Sequence, residues 1–259
     1  MHTVTLTSDL GTTDFYVSAV KGAILSAAPQ VQIIDITHNI PSHDIVQGAF
    51  MLKNAFPNFP VGTLHFISIN NNYNHHRTYV LFSKDGHYFC GPNNGLFSLM
   101  FDRMPDEVFE LNAPPGGTLV IRQIFSKVAR QLTKGDTLNE IGDPVQNLVV
   151  RMALHPVVTK TNIRGSVIHV DKYENVILNI TREIFERAAK GREFALFFKR
   201  FDPITAISES YHDVPVGEVL CKFNAANHLE LAINMGKASS LLGLKVEETI
   251  QIDFYDPGV

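Results

Sequence analysis

The sequence predicts a mixed α/β protein, with an N-terminal, largely parallel sheet flanked by helices and a smaller, β-rich C-terminal domain. Strands alternate with helices of about 10–15 residues in the first half of the chain, and short strands follow one another in the second. The 259 residues, 45% of them apolar, suffice for one large core or two smaller ones. We expect an N-terminal domain over residues 1–157 and a C-terminal domain over residues 163–259.

The strands and helices of the first half alternate from its beginning. Val4–Ser8 alternates and is β-branched, which predicts a strand, and apolar residues at helical spacing follow it until Pro29. The same order of strand, polar loop and helix then repeats. The further predicted elements are a strand over Val31–Ile36, a helix beginning at Ile45, a strand over Leu64–Ile69, a hairpin of Thr78–Ser83 with His87–Cys90, and helices over Leu96–Met100 and Gln123–Leu132.

The second half of the chain contains mainly short apolar runs separated by polar turns. One helix is predicted near Arg182–Ala189. The predicted strands are Ser166–Val170, Val176–Asn179, Phe194–Phe198, Val219–Phe223, Leu229–Ile233 and Thr249–Phe254.

Charge and composition argue against several classes of partner. The chain has 26 acidic and 22 basic residues and no basic run, so we expect no binding to nucleic acid. No apolar stretch approaches the ~20 residues that span a bilayer, so no membrane association is expected. Cys90 and Cys221 lie far apart within apolar runs, which predicts buried, reduced thiols and a cytoplasmic protein.

Polar residues follow the first predicted strand in the segment TSDLGTTDFYV. Ligands of open α/β sheets bind beyond the carboxyl ends of the strands, and a carboxylate such as Asp9 can accept two hydrogen bonds from a ribose diol. In the alternative interpretation, Asp14 caps the following helix and Asp9 stabilises the turn.

A second polar cluster surrounds the end of the next strand. Asp44 precedes an apolar run at helical spacing, which favours a helix cap over a catalytic role. His38 is either a site residue or a loop residue whose hydrogen bonds are made to backbone.

The third cluster, after the third strand, runs from Asn70 to Arg77. Its asparagines can adopt left-handed turns without glycine, so a structural loop is possible. Neighbouring His75 and His76 point to opposite sides of an extended chain, and no nearby cysteine or carboxylate completes a ligand set, so we expect no metal site. Arg77 is a fixed cation that could bind an anion or lower the pKa of a water molecule.

Two further polar turns have sufficient structural explanations. Gly91-Pro-Asn-Asn-Gly95 joins the hairpin to a helix, and Asp171-Lys-Tyr-Glu-Asn175 lies between two apolar strands. Asp171 and Asn175 could also face a ligand. The chain contains none of the motifs GxGxxG, GxxxxGK[ST], GxSxG and HExxH, so the residues alone name no ligand.

Longer segments carry a family resemblance. The segments LTSDLGTTDFYVSAVKGAIL, IIDITHNIPSHDIVQGAFML, GPNNGLFS, VIHVDKYENVILNI and LELAINMGKASSLLGLKVEE together resemble the S-adenosylmethionine hydroxide adenosyltransferases, a group that includes fluorinases and chlorinases. The similarity runs through the whole chain in the same order. It implies an N-terminal α/β domain, a C-terminal β-barrel-like domain, and a homotrimer whose active sites lie between the N domain of one subunit and the C domain of its neighbour.

The resemblance also implies a chemistry and its residues. A nucleophile displaces methionine at C5′ of S-adenosylmethionine, water gives adenosine, and neither a metal nor a separate cofactor is needed. Asp9 resembles the carboxylate that grips the ribose diol. His43 stands where relatives often carry an aromatic side chain, and Tyr73 joins the expected substrate-binding residues. On the methionine and adenine sides the expected residues are Asp171, Asn175, Asn224, Glu230 and the Asn234-Met235 backbone.

The sequence departs from the hydrolytic pattern at two of three water-activating positions. Asn70 stands where an aspartate is expected and Val120 where a histidine is expected, while Arg77 matches the arginine. Asparagine cannot take a proton, and valine neither donates nor accepts. Three interpretations stay open: a slow or altered adenosyltransferase that uses Arg77, with His75 or His76 as a substitute base; a module that binds S-adenosylmethionine or adenosine without turnover; and a trimeric structural relative with neither property.

Overall fold

The computed structural model describes residues 3–72, 78–113, 119–199 and 202–256. The chain divides into two compact units, Met1–Ala153 and Leu154–Val259. Tyr73, His75, His76 and Arg77, which the sequence singles out, lie outside the described residues.

The first unit contains a mixed sheet flanked by helices. Its strand order is β2-β1-β3-β5-β4-β6-β7. The elements are β1 (Thr3–Ser8), α1 (Tyr16–Ala27), β2 (Gln32–Thr37), α2 (Ile45–Ala55), β3 (Leu64–Ser68), β4 (Thr78–Lys84), β5 (His87–Pro92), α3 (Leu96–Met100), β6 (Phe109–Asn112), α4 (Ile121–Lys134), α5 (Leu138–Ile141) and β7 (Asp143–Pro144).

The parallel part of this sheet brings several strand ends to one edge. β1 pairs in parallel with β2 and with β3, and β3 pairs in parallel with β5. β4 runs antiparallel to β5 and β6, as the predicted hairpin requires. The loops that follow β1, β2 and β3 therefore emerge side by side.

The helices of the first unit cover both faces of its sheet. Successive residues of β4 belong to different apolar clusters. Leu81 packs with residues of α1 and α4, and Phe82 packs with residues of α2 and α3. Side chains of a strand alternate between its faces, so the two clusters lie on opposite sides of the sheet. The predicted α/β class of this half is confirmed.

Helix ends test two of the predicted roles. Asp44 caps α2, because its Oδ1 accepts a hydrogen bond from the Gln47 N–H at 2.9 Å. The prediction that Asp14 caps the following helix is wrong: α1 begins after Phe15 and has no side-chain cap. The turn before α1 leaves the Asp14 carboxylate exposed instead.

The second unit is built on antiparallel strands in the order β11-β14-β9-β10-β13-β12, with β8 paired to β9, and the sheet curls into a half-barrel. This confirms the β-rich C-terminal half. The elements are β8 (Val157–Val158), β9 (Asn162–Val170), β10 (Val176–Thr181), α6 (Arg182–Ala189), β11 (Glu193–Phe197), β12 (Val219–Phe223), β13 (His228–Ile233), α7 (Ala238–Leu242) and β14 (Thr249–Tyr255).

Both cysteines are free and fully buried, as predicted. Burial raises the pKa of the Cys90 thiol above its ordinary range and that of Cys221 to about 12, so both stay protonated. Within the described ranges, no helix combines the length and apolar character that crossing a bilayer requires.

Candidate functional site

The carboxylate of Asp9 joins three loops at the strand-end edge of the first unit. Asp9 follows β1 directly, and its Oδ2 accepts hydrogen bonds from the backbone N–H of His43 at 2.9 Å and of Asn70 at 3.2 Å. His43 lies in the loop after β2, and Asn70 in the loop after β3. The edge therefore brings together three residues that the sequence predicts for the site.

The two donors to Asp9 share an uncommon backbone conformation. His43 has φ of 67° and Asn70 has φ of 50°, both in the left-handed region. Such residues are rare outside turns, and their conformations turn the two N–H groups toward one carboxylate oxygen. Among the described residues, Oδ1 of Asp9 has no hydrogen-bond partner. That oxygen can accept hydrogen bonds from a ligand hydroxyl.

The turn at Gly91–Gly95 is hydrogen-bonded to the residue after β3 at this edge. Asn94 is fully buried, donates through Nδ2 to the Ile69 carbonyl at 2.9 Å, and accepts the Leu96 N–H through Oδ1 at 3.1 Å. Its side chain thereby ties the end of β3 to the start of α3. The structural interpretation of this turn is confirmed.

His38 lies behind the Asp9 loop. Its Nδ1 is 2.7 Å from the Ser8 hydroxyl, and its Nε2 is 3.1 Å from Oδ1 of Asp35. The ring is buried. The expectation that His38 is satisfied by backbone is therefore wrong, because both ring nitrogens face side chains.

Val120, at the position where the resemblance expects a histidine, is a core residue. It lies at the N-terminal end of α4, is only 6% exposed, and belongs to the apolar cluster with Leu6, Val20 and Phe125. Its side chain fills the packing between helices and sheet.

Asp171 and Asn175 form a closed turn between β9 and β10. Oδ1 of Asp171 accepts the N–H groups of Tyr173 at 2.9 Å and Asn175 at 2.8 Å, and Oδ2 accepts from Nδ2 of Asn175 at 3.0 Å. An aspartate that closes its own turn in this way is a common device of tight turns. Tyr173 at the tip of the turn is exposed.

Glu230 is a carboxylate on β13 that is 3% exposed. It lies directly opposite Lys222 of β12, and the Tyr211 hydroxyl donates to its Oε1 at 2.8 Å. Burial raises the pKa of Glu230, and the nearby Asp171 charge adds to this, while hydrogen bonds from Tyr211 and Asn224 oppose it; the net shift is upward. Glu230 is therefore influenced by two other predicted site residues, Asn224 through a hydrogen bond and Asp171 through its charge.

Asn224 and Met235 mark the two turns that flank β13. Oδ1 of Asn224 accepts the N–H groups of Ala226 at 3.0 Å and His228 at 3.1 Å, which closes the turn before the strand. Met235 follows the strand with φ of 57° and is 84% exposed. Its apolar side chain is available to contact a ligand or another chain.

Both halves of the chain match described domains. Residues 4–142 match the SAM hydroxide adenosyltransferase N-terminal domain, and residues 165–251 match the C-terminal domain of the same family. The chain belongs to the SAM hydroxide adenosyltransferase family.

Individual proteins are also similar to this chain over nearly its whole length. An (R)-S-adenosyl-L-methionine hydrolase of Methanocaldococcus jannaschii is 27% identical over 96% of this chain and 95% of its own. A fluorinase of an Actinoplanes species is 25% identical over 95% of each chain. The crystal structure of an uncharacterized conserved protein from Thermotoga maritima superposes with a TM-score of 0.86 at 27% identity, covering 97% of this chain and 99% of that chain.

In this chain the residues predicted for the site fall in two different matched domains. Asp9, His43 and Asn70 fall in the N-terminal match, whereas Asp171, Asn175, Asn224, Glu230 and Met235 fall in the C-terminal match. Among the described residues, no three histidine, cysteine or acidic side chains are grouped so that they could hold a metal ion.

Sequence reasoning missed Tyr211 and Lys222. Nζ of Lys222 lies 4.3 Å from the centroid of the Tyr211 ring. The hydroxyl of the same tyrosine donates a hydrogen bond to Glu230. Tyr211 begins a 3-10 helix of three residues, Tyr211–Asp213, which is too short to give a periodic apolar pattern in the sequence. Lys222 carried a usable signal, because it is a cation between Cys221 and Phe223 in an otherwise apolar strand.

Proposed function

We propose that this adenosyltransferase-family protein binds S-adenosylmethionine and catalyses its slow hydrolysis to adenosine and methionine. The observation that carries the proposal is the divided role of the Asp9 carboxylate. One oxygen is fixed by the backbone N–H groups of His43 and Asn70, and the other has no partner among the described residues. A rigid, charged acceptor at a strand-end edge suits the two hydroxyls of a ribose.

The proposed reaction is a substitution at C5′. Oxygen of a water molecule forms a bond to C5′ as the bond from C5′ to sulfur breaks; methionine takes the electron pair, and the proton of the attacking water goes to solvent or to a base. The sulfonium is already a good leaving group. The protein therefore contributes mainly by holding water and C5′ in line and by excluding bulk solvent.

The rate is expected to be low because water activation is weakened. Asn70 offers an amide where a carboxylate would accept the proton, and Val120 is packed in the core. Arg77 remains as a cation that can lower the pKa of the attacking water. His75 or His76 would be the substitute base.

The second unit supplies the other binding groups in this proposal. Asp171 and Asn175 would face the methionine and adenosine moieties, and Asn224, Glu230 and the backbone at Met235 would form the adenine side. We place the complete site at a subunit boundary of a cytoplasmic homotrimer, with no metal and no cofactor besides the adenosyl ligand.

A second candidate function is binding of the adenosyl ligand without turnover. The burial of Val120 favours it, because this position cannot supply a proton acceptor even if a neighbouring group moves. The two candidates share the binding step and differ only in whether product appears.

Titration calorimetry with S-adenosylmethionine and with adenosine tests the binding step. Heat and competition between the two ligands would support both candidates, and their absence would contradict both. Asp14→Asn is the control for Asp9→Asn, because Asp14 is an exposed carboxylate in the same segment.

Chromatography after long incubation then separates the candidates. Slow formation of equal amounts of adenosine and methionine supports hydrolysis, and persistent S-adenosylmethionine supports binding alone. Parallel reactions with chloride and with fluoride would reveal a different nucleophile. Asn70→Asp restores the missing acceptor and is expected to raise the rate of adenosine formation.

A further inference from the structure

A continuous chain of polar side chains runs from the surface of the first unit to the residue before Asp9. Nζ of Lys21 on α1 lies 2.5 Å from Oδ2 of Asp35, and Oδ1 of the same carboxylate lies 3.1 Å from Nε2 of His38. Nδ1 of His38 lies 2.7 Å from the Ser8 hydroxyl. Lys21 and Asp35 are about one-third exposed, whereas His38 and Ser8 are 5% and 2% exposed.

Hydrogen bonding and charge together fix where the protons of these side chains lie. An ionised carboxylate only accepts, so Lys21 donates to Asp35. Nε2 of His38 has no aligned hydrogen-bond partner among the described residues, but it lies 3.1 Å from Oδ1 of Asp35, whose negative charge favours a proton on that nitrogen. Burial raises the pKa of Asp35, but its interactions with Lys21 and His38 outweigh this effect, and the carboxylate stays ionised. A proton on Nε2 leaves Nδ1 as an acceptor, which must receive the Ser8 O–H.

The Ser8 hydroxyl also shapes the loop that carries Asp9. Its oxygen accepts the Leu10 N–H at 3.3 Å, which closes a short turn with Asp9 as the central residue. The His38 carbonyl accepts the Gly11 N–H at 2.8 Å and holds the far side of the same turn. His38 therefore grips this loop with its ring and with its backbone.

We propose that His38 is a positioning residue, which with Asp35 and Lys21 fixes the Ser8 hydroxyl and thereby the orientation of the Asp9 carboxylate. The expected effect of this positioning on ligand affinity rests on the proposed function, in which Asp9 binds the ribose. The expected effect on the protein without ligand is independent of that function, because the Asp9 carboxylate also accepts hydrogen bonds from the His43 and Asn70 N–H groups.

The substitution Asp35→Asn tests whether the side chains from Lys21 to Ser8 act together, and it changes few atoms. Lys21 attracts the amide oxygen, which leaves the NH2 group facing Nε2 of His38. The ring is then expected to carry its proton on Nδ1, and the Ser8 O–H loses its acceptor. Asp106→Asn is the matched control, because Asp106 also pairs with a cation, Arg103 at 3.0 Å, on the exposed surface.

Nitrogen NMR at about pH 8, where an ordinary imidazole is neutral, shows which ring nitrogen of His38 carries the proton, and it needs no ligand. We expect the Nε2–H form of His38 in the natural protein and the Nδ1–H form in Asp35→Asn, with shifted amide resonances of Leu10, His43 and Asn70. An Nδ1–H form in the natural protein, or amide resonances as unmoved as in the control, would overturn the proposal.

Calorimetry with adenosine supplies the ligand arm of the test. We expect Asp35→Asn and His38→Ala to weaken binding about tenfold or more, and His38→Asn, which retains an acceptor near the Nδ1 position, to recover part of the loss. Unchanged affinity in a protein whose natural form binds adenosine contradicts the positioning role. If the natural protein does not bind adenosine, the result contradicts the proposed function instead. The NMR measurement then still tests whether Asp35 and His38 position the Ser8 hydroxyl.

Discussion

Oδ2 of Asp9 accepts the backbone N–H of His43 at 2.9 Å, although 34 positions separate the two residues in the sequence. The bond exists because β1 and β2 are parallel neighbours, so the loops after them emerge at the same edge. It makes the Asp9 carboxylate part of the loop architecture as well as a candidate ligand group.

Replacing Asp9 by asparagine should weaken adenosine binding about 10- to 100-fold. The one remaining oxygen is needed by the His43 and Asn70 N–H groups, so the NH2 group faces the ligand and cannot accept from its hydroxyls. Calorimetry on Asp9→Asn measures the change, with Asp14→Asn expected to bind as the natural protein does. Equal affinities for the two variants would contradict a ligand role for Asp9.

Introducing a histidine at Val120 should destabilise the protein without restoring hydrolysis. The imidazole would enter an apolar cluster that offers it no evident partner, at a cost of about 1–3 kcal/mol in the free energy of unfolding. Urea denaturation of Val120→His measures this cost. Val61→His is the control, because Val61 is exposed and should change stability by no more than about 0.5 kcal/mol. A faster hydrolysis by Val120→His would refute the interpretation of Val120 as a core residue only.

Removing the Tyr211 hydroxyl should raise the pKa of Glu230 further. Burial already raises this pKa, and the hydrogen bond from Tyr211 to the carboxylate opposes the effect by stabilising the charged form. Carbon NMR of the Glu230 carboxyl group across a pH titration measures the shift in Tyr211→Phe. Tyr255→Phe should leave the titration unchanged, since Tyr255 is a partly exposed residue of β14. A lower pKa in Tyr211→Phe would show that the hydroxyl does not donate to Glu230.

The free energy of unfolding should fall as the pH drops below about 6.5, the ordinary pKa of histidine. His65 is fully buried, with Nε2 3.1 Å from Nδ1 of His87, and burial together with the His87 charge lowers the pKa of His65 to about 3. The unfolded chain therefore binds a proton that the folded chain refuses, and stability is lost from pH 6.5 down toward pH 3.

The slope of this loss is the quantity to measure. Each proton taken up on unfolding contributes up to about 1.4 kcal/mol per pH unit. His65→Phe, whose ring would lie among Phe56 and Phe89, should have a shallower slope between about pH 4 and 6 than the natural protein. His155→Gln, an exposed change, should keep the natural slope. Identical slopes for His65→Phe and the natural protein would exclude His65 as the titrating group.

Local elements were predictable because their signals are local. The predicted bounds of α3, α6 and β12 coincide with the observed Leu96–Met100, Arg182–Ala189 and Val219–Phe223. Apolar periodicity and turn residues suffice for such segments, since each is decided within about ten residues. The cap at Asp44 was predictable for the same reason, whereas Asp14 shows that a capping residue type does not by itself place a helix start.

The sequence by itself determined the order of strands and helices, the change from alternating to β-rich architecture, and the departures at Asn70 and Val120. Only the tertiary structure decided that Asp9 holds His43 and Asn70, that Tyr211 reaches Glu230, and that Val120 lies in the core. These pairings join residues 19 to 61 positions apart. Sequence periodicity records which face of an element is apolar, but strand order and chain crossover decide which distant loops share an edge.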